Sequence, residues 1–128
     1  MGDRANIVMT QHRGTAEQGG AELFLSTHRG GHELPETLQA ALIHGRARWD
    51  DESYLARIIF DEMVGANWGE LSGFGLSTYP CDNEHDYLVV DCEKQEVRRE
   101  HEATREVVAR WPFEAFCALD IKTAFRDF

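Results

Sequence analysis

The apolar residues of this chain change their spacing at one point, and that change limits the folds open to it. Ala5, Ile7 and Met9 alternate with Asn6, Val8 and Thr10, and Ala21, Leu23 and Leu25 alternate with Glu22, Phe24 and Ser26. A period of two sends successive side chains to opposite faces of a strand, so the two runs, joined by a polar connection with Gly14, Gly19 and Gly20, predict a β-hairpin. Past Thr27-His28-Arg29-Gly30-Gly31-His32 the period becomes 3.6, with Leu34, Leu38, Ala41 and Leu42 on one face of a helix that Pro35 can start. A chain that switches period in this way must stack helices on a sheet.

The later segments fit the same architecture. Gly45 ends the first helix, and Asp50 or Asp51 can cap a second whose apolar stripe is Leu55, Ile58, Ile59 and Met63. That helix ends near Gly65, with Asp61 and Glu62 towards water. Residues 73–79 and 87–92 read as strands, the second buried because Leu88-Val89-Val90 is continuously apolar, with an acidic loop from Pro80 to Asp86 between them. A strand over 96–102 follows, residues 106–111 can pair behind it, and Phe113, Phe116 and Leu119 suggest a short closing helix. The expectation is a single α+β domain over residues 1–128: an antiparallel sheet with two main helices on one face, in the order ββααβββ, with room for one more strand and a short C-terminal helix. No repeat or Pro-, Gly- or Ser-rich linker divides it.

Composition enters through charge. Residues 1–49 hold five Arg against five acids and residues 97–128 six basic side chains against six acids, so the net charge of −10 lies wholly in 50–96, where Arg57 and Lys94 face twelve Asp and Glu. A protein that tracks duplex phosphates needs a broad basic face, so duplex nucleic acid is not an expected partner. No run approaches the ~18 apolar residues of a membrane span and Met1-Gly2-Asp3-Arg4 carries no apolar leader, so a cytoplasmic protein without a membrane partner is expected. Cys81, Cys92 and Cys117 lack CxxC spacing and fit reduced, packed thiols.

The segment from His28 to Pro35 is the strongest candidate site. Adjacent glycines between a strand end and a helix start let backbone N–H groups converge on an anion, and the helix N-terminus adds partial positive charge. His28, Arg29 and His32 would supply side-chain donors beside Gly30 and Gly31, and Arg4 opens the strand expected to pair with this one. The ligand implied is a small anion carrying phosphate, a nucleotide among the candidates. The plainer reading is a tight turn with solvated basic residues. GxxxxGK[ST] and GxGxxG are absent, HExxH is incomplete at His32-Glu33, and Pro80-Cys81 lacks the second cysteine of a zinc deaminase, so neither a cofactor nor a metal is expected. Ser26 with His28 and Cys81 with His85 are conceivable nucleophile pairs without a recognisable elbow. Trp49, Trp68 and Trp111 read as interior or rim packing rather than ligand stacking.

Met1-Gly2-Asp3-Arg4-Ala5-Asn6-Ile7 and Leu25-Ser26-Thr27-His28-Arg29-Gly30-Gly31 together resemble a group of small proteins, without an assigned activity, that is frequent in phages and mobile bacterial DNA. That group shows Met-x-x-Arg-x-x-Ile, then a strand closing in a His-Trp-Asp/Gly-Gly pattern, then a helix. The likeness covers residues 1–45, and Arg29 departs from the Trp of the pattern. It implies an accessory protein of a mobile element with Arg4, His28 and Gly30 close together. The reading is therefore a binding protein rather than an enzyme. Two alternatives stand beside it: an acidic, nucleic-acid-mimicking inhibitor that meets a protein through Asp82, Glu84 and Asp86, and a phosphoester hydrolase using His28.

Overall fold

The computed structural model describes residues 2–11 and 21–128. Within these, β1 (Ala5–Gln11) and β2 (Ala21–Thr27) precede α1 (Leu34–His44) and α2 (Glu52–Val64), and then come β3 (Phe74–Ser77), β4 (Tyr87–Asp91), β5 (Glu96–Glu100), β6 (Val107–Pro112), α3 (Phe113–Cys117) and α4 (Ile121–Ala124). The predicted α+β architecture is the observed one, with the extra strand and two short closing helices. The connection with Gly14, Gly19 and Gly20 lies outside the described residues.

The six strands form one sheet in the order β3-β2-β1-β4-β5-β6. Four pairings are antiparallel as expected, but β1 and β4 run parallel, with Val8 opposite Val89. The reason is the path of the chain: β3 adds to the outer edge of β2, and the Pro80–Asp86 loop must then carry the chain across to the free edge of β1. Asn6 holds that loop, donating through Nδ2 to Cys81 O at 3.3 Å and Asn83 Oδ1 at 3.2 Å.

Register decides what each face buries. Ile7 opposite Leu25 and Leu88 places Ala5, Met9 and Val90 on the same side, where they meet Leu34, Leu38 and Leu42 of α1 and Leu55, Ile59 and Met63 of α2. The cap of α2 is Asp51, whose side chain accepts from Tyr54 N–H at 3.0 Å. Gln39 of α1 docks α3 by donating to Phe116 O at 3.0 Å and Leu119 O at 2.9 Å, filling carbonyls a helix end leaves open. Trp49 packs edge-on against Phe113, and Trp111 against Phe116. Cys92 is buried, and burial pushes its thiol up to about 12, so it is a packed, unreactive group.

Among the described residues no helix lies on the second face, yet Val8, Phe24, Tyr87 and Val89 are buried there. Ion pairs lie over them. Arg98 reaches Asp91 at 3.0 Å, Glu96 at 2.9 Å and Glu100 at 3.2 Å. Arg105, at φ +63°, folds back across β4 and β1 to pair with Glu100 at 2.7 Å and Glu22 at 2.8 Å, its guanidinium 5.0 Å above the Tyr87 ring. The acidic segment of the sequence is thus partly neutralised in space by arginines from beyond it. Among the described residues, no helix is long and apolar enough to cross a membrane.

Candidate functional site

The β1–β2 register, with Ala5 opposite Thr27, brings Asp3 and Arg4 alongside His28 and Arg29. Gly31 N–H donates to Asp3 O at 2.8 Å and His32 N–H to Asp3 Oδ2 at 3.0 Å, while His32 Nδ1 stands 2.5 Å from that same carboxylate oxygen. Asp3 Oδ1 lies 2.5 Å from His85 Nε2, and the His85 ring stacks on Phe128 at 4.6 Å. The glycine turn does gather N–H groups, but the chain's own Asp3 takes them, the Gly31 N–H through its backbone carbonyl and the His32 N–H through its carboxylate. Gly31 has to be glycine for this approach, since a Cβ would come within 2.7 Å of Asp3 O and 2.9 Å of the Ala5 Cβ. Gly30, at φ +69°, makes the left-handed turn into Gly31.

This clamp perturbs both partners. Burial opposes ionisation of Asp3, but hydrogen bonds from His85, from the His32 N–H and from the His32 ring outweigh it and hold the carboxyl well below the usual carboxylate range. His32 is raised above its ordinary value of 6.5, first by its hydrogen bond to Asp3 and further by the charges of Asp3, Glu33 and Glu36. The signs differ. A depressed Asp3 stabilises the fold above its unfolded value near 3.8 and loses that contribution as pH falls through the folded value. A raised His32 stabilises fully below 6.5 and loses its contribution as pH rises through the folded value. The clamp is therefore strongest between about pH 4 and pH 6.5. Thermal melting across pH 4 to 9 should show His32→Gln narrowing the gap to wild type on the alkaline side, by a few degrees at most because the His32 side chain is 64% exposed and screened. Parallel curves for the two proteins would refute the assignment.

The open part of the site is a cleft of about 880 Å³ next to the turn, within the range typical of small-molecule sites. Thr27, His28, Arg29 and Gly30 line it from the turn, Glu33 and Thr37 from the start of α1, and Asn67, Glu70 and Ser72 from the segment before β3. Its apolar lining comes from Leu34, Met63 and Phe74. The Arg29 guanidinium is exposed and has no hydrogen-bond or ion-pair partner among the described residues. Arg4 Nε–H donates to His28 Nδ1 at 3.3 Å, which makes Nδ1 the acceptor and leaves the ring proton on Nε2. Arg4 itself faces a shallower neighbouring pocket with Ser26, Cys81 and Asp82, and lies 3.8 Å from Asp82.

Of the six residues singled out by sequence, His28, Arg29 and Gly30 line the cleft, Arg4 supports His28, and Gly31 and His32 are engaged by Asp3. Sequence reasoning missed Asp3, although the hairpin register already carried its signal, and named His85 only as a partner for Cys81. The proposed nucleophile pairs are not assembled: Ser26 Oγ donates to Gly75 O at 3.3 Å, Cys81 Sγ sits 3.6 Å from Ser77 Oγ, and His85 turns to Asp3. In the acidic loop, Asp86 pairs with Arg99 at 2.8 Å and Glu84 accepts from Arg4 N–H at 2.8 Å, so Asp82 is the most open of the three carboxylates. No three His, Cys, Asp or Glu side chains among the described residues converge as metal ligands would. Comparison with protein-family models, curated proteins and solved structures finds no match to this chain.

Proposed function

We propose that the chain binds a small phosphate-containing ligand in the cleft beside the Gly30-Gly31 turn and does not turn it over, serving as an accessory protein of a phage or mobile element. The observation that carries the binding half is Arg29, which lines a ligand-sized cleft beside His28 and whose guanidinium has no partner among the described residues. A guanidinium matches phosphate with two parallel N–H donors, and the N-terminal turn of α1 borders the same space. Glu33 and Glu70 set a limit on the ligand's charge, since a polyanion filling the cleft would meet them. A single phosphate at the Arg29 end with hydroxyl or amino groups towards the acids suits the lining. The accessory role rests on the likeness of residues 1–45 to the mobile-element group.

Other features argue for binding over hydrolysis. The histidines that a carboxylate orients are His32 and His85, neither of which lines the cleft, whereas His28, which does, has its Nδ1 engaged by Arg4. The inhibitor reading has little left to stand on in the acidic loop, where Glu84 and Asp86 are tied into the fold.

Mass spectrometry of small molecules released from protein purified from cells should yield a phosphate-containing compound. Arg29→Ala is expected to weaken its rebinding about 10- to 100-fold, the effect of losing one charge-assisted contact, while Asp82→Lys changes it little. Rebinding unaffected by Arg29→Ala would sink the proposal, and so would a co-purifying protein lost only with Asp82→Lys.

A further inference from the structure

The cleft beside the glycine turn is lined by charges of both signs that the fold leaves open. Arg29 borders it from the turn between β2 and α1, and Glu70 borders it from the segment between α2 and β3. Neither side chain has a hydrogen-bond or ion-pair partner among the described residues, so the two do not pair with each other either. Glu33, the other acid of the lining, differs in having the His32 ring beside it, with Oε1 lying 3.5 Å from Nε2. A cation and an anion on one cleft, each unmatched by the chain, are open to opposite charges on a ligand.

A turn fixes where Glu70 stands. Trp68 has φ −55° and ψ 142°, Gly69 has φ +88°, and Glu70 N–H donates to Asn67 O at 3.1 Å, which together make a type II turn over residues 67–70. The third position of such a turn needs positive φ, so Gly69 is required for its backbone and not for space, since a Cβ there would meet nothing within 4 Å. Asn67 and Glu70, the two ends of the turn, line the cleft. Trp68 is 81% exposed, against the expected interior or rim packing.

Charge then narrows the ligand. A phosphate monoester carries about −1.5 to −2 near neutral pH, and on Arg29 it would share the cleft with Glu33 and Glu70. A hydroxyl group could donate to Glu70 but would leave that excess of negative charge in place, and a carboxylate that loses water without gaining a counter-charge opposes binding. An ammonium group supplies both the donors and the charge. Resting on the reading of this cleft as a phosphate site, we propose that its ligand is a phosphate monoester bearing a primary amine, with the phosphate on Arg29 and the ammonium on Glu70.

Calorimetry can separate the two ends with matched probes on the full chain and on Glu70→Gln and Arg29→Ala. Phosphoethanolamine is compared with hydroxyethyl phosphate, and aminobutyl phosphate with hydroxybutyl phosphate, so that each pair differs only in an ammonium or a hydroxyl and the two pairs differ in reach. In at least one pair the amine should bind about 10-fold or more tightly than the alcohol, the effect of one charge-assisted contact. Glu70→Gln, a change at an exposed side chain whose backbone makes the turn, should abolish that preference without weakening the alcohol. Arg29→Ala should weaken both members of the pair. If amine and alcohol bind equally in both pairs, or the preference survives Glu70→Gln, or Glu70→Gln weakens the alcohol as much as the amine, the ammonium proposal falls and the phosphate site stands. If none of the four compounds binds wild type, both fall.

Discussion

Val89→Asp is expected to yield a chain that does not fold. Val89 is fully buried in β4, between β1 and β5, on the face of the sheet opposite α1 and α2. A carboxylate there would lie among Val8, Phe24 and Tyr87. The only cation directly across the ladder is Arg98, which already holds Asp91, Glu96 and Glu100. A fourth carboxylate would add repulsion without gaining a partner. Burying an unpaired charge costs several kcal/mol, a cost comparable to the ~5–15 kcal/mol that holds a domain of this size together. Far-UV circular dichroism and size-exclusion chromatography should both show the loss. A native spectrum and elution volume would mean that the second face is open to water at Val89.

The same residue shows how far the sequence can be read. Leu88-Val89-Val90 signals a strand buried on both faces, and the alternation of Ala5, Ile7 and Met9 and the 3.6-period stripes of α1 and α2 are equally direct, because each is a local pattern set by one element's geometry. What covers the second face of β4 is not local. Arg98 and Arg105 lie over it through partners as distant along the chain as Glu22, and no spacing rule links those positions. The parallel pairing of β1 with β4 escaped for a related reason, since it depends on where β3 docks and not on the sequence of either strand. At the site, Gly30-Gly31 was legible as a turn that gathers N–H groups, because two glycines after a strand permit little else. Its occupant was not, because Asp3 is brought there by the register of the hairpin. Nor does the spacing of Trp68 distinguish an indole that packs from the exposed one that the structure shows.

Arg98→Leu carries the second large expected effect. The Arg98 side chain is 14% exposed and those of Asp91, Glu96 and Glu100 are 5%, 15% and 9% exposed, so the group sits in a medium where charges interact strongly. Burial opposes the charge on Arg98, but hydrogen bonds to Glu96, Asp91 and Glu100 outweigh it and raise its pKa above the ordinary arginine value. Removing the shared cation leaves the three carboxylates crowded on one face, with Arg105 still on Glu100 and Arg110 still 3.3 Å from Glu96. Breaking a buried ion pair from one side typically costs about 3–5 kcal/mol, enough to bring urea unfolding close to zero denaturant. Neutralising the acids at the same time, in Arg98→Leu with Asp91→Asn, Glu96→Gln and Glu100→Gln, should recover much of that loss, because a matched set of uncharged groups no longer repels. Urea curves of the single and the fourfold variant separate this account from simple loss of packing, because a cavity under the missing guanidinium would leave the fourfold variant as unstable as the single one.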